Sequence, residues 1–312
     1  MNRREMMFTW LQEKQSSAIP AAFFLHFTPE HHVGDAAISK HLEFFNYTGM
    51  DILKIQYERT FPFLDSIQQP GDWAQMPHYG LDFYEEQLKV VGGLVKAAKH
   101  EAVVIATLYS PFMCAASTVG AEILVEHLRR DPEQVAGGLE AITNSLLLFV
   151  RECIKLGVDG FYHSTQGGEA HRLGSTLFEQ YVKPYDLTLM NEINQNCDFN
   201  ILHVCDYAAP YDDFSPFMDY PGDVVSCPFK LGEKELNAQE LATLFKRPIM
   251  GGMERKGTIA TGTPEAIRRE VERLLPDVPA QFMLGADCTV PNETPWDNLR
   301  VAIETAHTFG QD

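Results

Sequence analysis

A histidine and a cysteine stand two residues apart at His203 and Cys205, and a further cysteine, Cys288, lies far downstream in the run Gly285-Ala-Asp-Cys288. On a strand, residues two apart point to the same face, so His203 and Cys205 can bind one ion together. One imidazole and two thiolates with a fourth position open is a catalytic zinc arrangement, in which the ion binds and deprotonates an incoming thiol or water. The competing reading makes the cysteines small buried hydrophobes and His203 a hydrogen-bonded core residue. That reading is adopted for Cys114, Cys153 and Cys197, which fall on helices or at a strand start, and Cys227 stays undecided.

A site drawn from such distant positions needs elements that converge. Eight short apolar or β-branched segments recur between stretches of helical periodicity: Ala21–Phe27, Asp51–Glu58, Ala102–Ser110, Val158–Thr165, Cys197–Cys205, Val224–Phe229, Pro248–Glu254 and Gln281–Cys288. This alternation predicts parallel βαβ units closed into a (β/α)8 TIM barrel, an α/β fold. The runner-up, a doubly wound open sheet, lacks a G-x-G-x-x-G after any strand. Asp131-Pro132, Thr263-Pro264 and Thr294-Pro295 read as helix starts, and Gly49 and Gly157 as glycine caps ahead of strands. The whole chain, 1–312, is expected to be one barrel domain, with residues 1–17 as an amphipathic helical extension covering its bottom.

Active sites of such barrels lie at the C-terminal strand ends. There the sequence places His26, Glu58, Tyr109 with Ser110, His163 with Gln166, His203 with Cys205, Cys227, Glu254, and Asp287 with Cys288. Glu58 is the candidate catalytic carboxylate, and His26, Tyr109, His163 and Gln166 are expected to line the substrate pocket. The neighbouring His31 and His32 fit a pocket wall and an exposed loop equally well.

The net charge of −18 argues against a nucleic-acid partner, which needs clustered Lys and Arg. Ile19–Phe27 is too short to span a bilayer and contains Pro20 and His26, so no membrane association is expected. The N-terminus has no signal-peptide pattern, and six scattered cysteines make no disulfide framework. A cytoplasmic location is expected, where thiols are free to bind metal.

These residues resemble the uroporphyrinogen decarboxylase superfamily, which includes the zinc-dependent methylcobalamin:coenzyme M methyltransferases. The resemblance covers nearly the whole chain from about Ala21. Its most specific pieces are His203-Val-Cys205, Gly251-Gly-Met-Glu-Arg-Lys-Gly257 followed by Gly262-Thr-Pro-Glu265, and Gly285-Ala-Asp-Cys288-Thr-Val-Pro291. In the methyltransferase branch H-x-C and a later cysteine in such a context are the zinc ligands, which implies that role for His203, Cys205 and Cys288, on a (β/α)8 barrel.

Departures separate the branches. Porphyrinogen decarboxylases carry an arginine-rich R-Q-A-G-R-Y stretch after the first strand, where guanidinium groups hold substrate carboxylates. This chain has Phe27-Thr-Pro-Glu30-His31-His32 there, with no arginine between Arg4 and Arg59. The decarboxylase's pyrrole-binding aspartate falls on Glu58. The resemblance therefore implies methyl transfer from a methylated corrinoid, free or carried by a corrinoid protein, to a small-molecule thiol on zinc. The alternatives are a cofactor-free tetrapyrrole decarboxylase, with Glu58 contacting pyrrole nitrogens, and a non-catalytic corrinoid- or metal-binding barrel.

Overall fold

The computed structural model describes residues 2–13, 18–169 and 171–310; residues 1 and 14–17 of the expected N-terminal extension lie outside them. Among the described residues there are nine strands: β1 (Ile52–Ile55), β2 (Val103–Tyr109), β3 (Gly160–Thr165), β4 (Ile201–Val204), β5 (Val224–Ser226), β6 (Lys230–Leu231), β7 (Lys234–Glu235), β8 (Ile249–Met253) and β9 (Phe282–Ala286). Seven of them form one sheet in the order β1-β2-β3-β4-β5-β8-β9, and every neighbouring pair is parallel. The remaining two, β6 and β7, make a small antiparallel hairpin. Strands such as Val103–Tyr109 read as nearly unbroken apolar runs because helices cover one face and the barrel interior the other. The fold is the expected α/β barrel.

The expected first strand, Ala21–Phe27, is corrected. It is extended backbone that makes a single parallel bridge, Ala21 to Leu284. Ala22 N donates to Leu284 O (3.0 Å), Leu284 N to Pro20 O (2.8 Å), and Asp51 N to Ala21 O (3.0 Å), so this short piece joins β9 to the start of β1 and closes the ring. The Asp51 carboxylate reinforces the seam by accepting from Ala21 N at 2.7 Å.

Helix Arg3–Glu13 packs across the N-terminal barrel end. Arg4 N donates to Glu101 O (2.9 Å), the Arg4 guanidinium pairs with the buried Asp159, and Gln281 Nε2 donates to Trp10 O (3.2 Å). Its apolar residues are not confined to one stripe: Met7 and Trp10 are buried while Met6, Phe8 and Leu11 are half-buried around them, which corrects the expected amphipathic pattern.

The capping expectations hold at four of five places. Asp131 and Thr263 accept from Gln134 N and Ala266 N, with proline at the first turn, and Gly49 (φ 76°) and Gly157 (φ 94°) end their helices in the left-handed region. Thr294 does not cap. Helix Trp296–Thr308 starts one residue later, with Pro295 in the cap position.

Candidate metal centre

His203 lies at the inner face of β4, opposite Ser164 of β3 and Ser226 of β5. Two small neighbours leave room for an imidazole between strands. Its Nδ1–H donates to Ser226 O (3.3 Å), with Ser226 Oγ at 3.2 Å, and the ring stacks on Tyr162 with centroids 4.9 Å apart. That hydrogen bond leaves the lone pair on Nε2. The Nε2 atom is buried and has no hydrogen-bond partner among the described residues. A buried nitrogen without a partner beside two sulfurs is open to a shared ligand.

The sulfurs of Cys205 and Cys288 are 3.9 Å apart, and one ligand atom from each of His203, Cys205 and Cys288 lies within 4.8 Å of the others. Two soft sulfurs and an available imidazole lone pair are a donor set that suits zinc and leaves a fourth position toward the cavity. One thiol of the pair donates to the other. Hydrogen bonding from Cys288 holds the Cys205 thiol well below the usual cysteine range, and the same contact pushes Cys288 up.

Gln166, just past β3, donates from Nε2 to Cys205 Sγ at 3.3 Å. Arg172 donates to Gln166 Oε1 at 3.4 Å and pairs with the buried Glu169, so the amide presents its N–H side to sulfur. The Nδ1 bond to Ser226 does the same for His203, fixing its tautomer. Cys227 is fully buried and, like Cys114, Cys153 and Cys197, lies outside this group.

A cavity of about 610 Å³ opens above these ligands, walled by His26, Tyr109, Tyr162, Gln166 and Arg255 among others. A shallower groove of about 750 Å³ follows helix Ala121–Arg130 outside the barrel mouth and reaches the site network only at Arg172. Of the expected pocket residues, His26, Tyr109 and Gln166 are in the cavity wall. Glu58 stands behind His26, accepting from its Nδ1 at 3.2 Å, while His26 Nε2 faces the Tyr109 hydroxyl at 3.5 Å. His32 approaches the other Glu58 oxygen at 3.8 Å.

His163 is corrected. Strand alternation turns Tyr162 and Ser164 inward, so His163 faces outward among Met190, Ile193 and Ile201. Both its ring nitrogens lack partners among the described residues, and burial pushes its pKa down to about 3. Glu254 is also displaced. It is exposed, and its neighbour Arg255 enters the cavity instead.

Lys54 is the residue that sequence reasoning missed. It is buried on the inner face of β1, donating to Gln56 Oε1 and Thr107 Oγ1 (both 2.9 Å), with its ammonium 4.8 Å from the Phe24 ring centre and 5.2 Å from that of Tyr162. Burial pushes its pKa down to about 7, with the charges of Glu58 and Cys288 opposing. The signal was a lone charge inside Ile52-Leu-Lys-Ile55, a strand buried on both faces.

The fold and the site together define a class: a TIM barrel with a candidate zinc-thiolate centre at the C-terminal strand ends. Residues 45–309 match the family described as Uroporphyrinogen decarboxylase (URO-D), and the chain belongs to that family. Among solved structures it resembles a methyltransferase from Methanosarcina mazei, with TM-score 0.79 and 12% identity over 99% of each chain. It also resembles a putative vitamin-B12 independent methionine synthase from Listeria monocytogenes, with TM-score 0.58 and 14% identity over 94% of this chain and 97% of that one. At these identities the likeness establishes the fold. No curated protein matches the chain significantly.

Proposed function

We propose that this protein transfers a methyl group from a methylated corrinoid to a thiol acceptor at His203, Cys205 and Cys288, with zinc as the resident metal. The observation that carries the reading is the partnerless Nε2 of His203 facing two convergent sulfurs at the floor of a large cavity. Zinc held there would supply the thiolate form of the acceptor at neutral pH.

The chain's own residues do the rest. Tyr162 and Ser226 fix the imidazole, and Gln166 gives its N–H to Cys205. A transfer there would form an S–C bond and break the donor's Co–C bond, with that bond's electron pair left on the corrinoid. The thiol proton leaves toward His26, whose Nδ1–H is held by Glu58. Glu58 therefore acts through His26 rather than on the acceptor directly. A corrinoid-carrying protein partner fits this reading, and the methyltransferase neighbour supports it at the level of fold.

The decarboxylase reading has the family match in its favour. It needs guanidinium groups free to hold carboxylates. Arg255 in the cavity is bound by Asp206 and Asp287, and Arg59 lies over Phe83 with its Nε donating to Phe83 O. Arg255 is thus already paired with two carboxylates, and Arg59 is not part of the cavity wall. The deciding experiment incubates the protein anaerobically with methylcobalamin and a panel of small thiols, alongside zinc analysis and a uroporphyrinogen assay. Thiol-dependent loss of methylcobalamin with about one zinc per chain is the expected result. Conversion of uroporphyrinogen to coproporphyrinogen without demethylation would overturn it.

A further inference from the structure

Cys205 follows β4 and Cys288 follows β9, and two strands, β5 and β8, stand between those in the sheet. Three strand spacings amount to roughly 14 Å along the sheet. In the closed barrel the inward side chains converge and the sulfurs meet at 3.9 Å, a spacing set by how the two segments bearing them are held. The brace comes from a third loop, after β8. Arg255 Nη1 donates to Asp206 Oδ1 at 2.8 Å and to Asp287 Oδ2 at 2.9 Å. Asp206 directly follows Cys205, and Asp287 directly precedes Cys288.

Backbone groups tighten the same knot. Arg255 N and Cys288 N both donate to Asp287 Oδ1, at 2.7 and 2.9 Å, and Asp287 N donates to Met253 O at 2.9 Å. All three side chains are largely withdrawn from solvent, at 14% exposure for Arg255, 18% for Asp206 and 16% for Asp287. Bonds to charged groups at such depth are stronger than surface pairs.

We infer that Arg255 is a positioning residue: its guanidinium ties the loops after β4 and β9 together and thereby sets the separation of Cys205 and Cys288. Both bonds come from one nitrogen, Nη1, whose two N–H directions are fixed in the guanidinium plane, whereas the donors of a lysine ammonium rotate freely. Arg255 touches neither sulfur in this role. As far as zinc is concerned, the inference rests on the proposed function; the spacing of the sulfurs does not.

The test compares the wild type with Arg255→Lys and Arg255→Gln, using circular dichroism and thermal melting to check the fold. Two further measurements report the geometry. Zinc affinity is read by competition with a chromophoric chelator. In metal-free protein, phenylarsine oxide captures two close thiols, forming two As–S bonds and releasing water, with Cys288→Ser as the control. Both Arg255 variants are expected to bind zinc about 10–100-fold more weakly and to lose most of the Cys288-dependent arsenical capture. Arg255→Lys keeps the charge and remains informative if Arg255→Gln fails to fold.

Wild-type zinc affinity and capture in folded Arg255→Lys would overturn the inference. If the wild type captures the arsenical but binds no zinc, the metal reading fails while loss of capture in Arg255→Lys still supports the brace. If the wild type does neither, both ideas fall.

Discussion

Glu58 and His26 divide between them a role that the sequence assigned to Glu58 alone. Because the carboxylate reaches the cavity only through the imidazole, Glu58→Gln should keep zinc and lower methyl transfer by roughly 10²–10⁴-fold, the range for losing acid–base assistance. His26→Ala should match it. Cys205→Ala should instead lose both zinc and activity with circular dichroism unchanged, and a Cys205→Ala protein that demethylates methylcobalamin normally would refute the thiolate mechanism. Lys54 gives a prediction in pH. Its folded pKa is about 7, below an unfolded value of about 10.4, so the unfolded chain holds the extra proton between those limits. Stability should rise with pH across that window, and the cost is complete below about pH 7. Lys54→Met should therefore melt above the wild type near neutrality, with the difference shrinking toward pH 10. Paired melts across that range check it; a constant difference would contradict it.

Among the elements, the junction of β3 and β4 is the least tolerant. A Cβ placed on Gly160 would lie 1.7 Å from Phe199 O, a backbone atom that cannot swing away, so Gly160→Ala must separate the strands that carry Gln166 and His203. Its cost should far exceed the roughly 1 kcal/mol of an average substitution. Denaturant unfolding measures it, and a fall in bound zinc should accompany the loss of stability. A milder benchmark is Asp131→Ala, which removes only the side-chain cap of helix Pro132–Leu156 and should cost about 1 kcal/mol by the same method.

At the scale of the molecule, zinc and folding should be linked, since three ligands from two separate strand ends come together only in the closed barrel. A strong chelator should lower the melting temperature and added zinc restore it. For ligand at a thousandfold its dissociation constant the linkage is about 4 kcal/mol. Cys288→Ser should melt at one temperature with or without chelator; a wild-type melt equally indifferent to chelator would deny the link. The net charge of −18 contrasts with a cavity wall that offers Lys54, Arg255 and Lys256 against Glu293. Among the described residues no helix is long and apolar enough to cross a membrane.

Periodicity and residue type determined much of this protein by themselves. Seven of eight strand positions follow from apolar runs between helical stretches, because a parallel sheet buries both strand faces and must be written in apolar residues. The His203-x-Cys205 pair follows from the period of two, and Cys288 from its place at a strand end. The rest depended on closure. Whether Ala21–Phe27 is a full strand depends on how much of it meets β9 and β1, and it meets them for little more than one residue. The outward turn of His163 depends on the pleat phase of β3, which slips by one residue whenever a strand boundary is misjudged. Lys54 and Arg255 take their meaning from partners far along the chain: Thr107 and Tyr162 for the one, Asp206 and Asp287 for the other. A sequence records residue types and local periods; which distant carboxylate a guanidinium meets is decided only when the barrel closes.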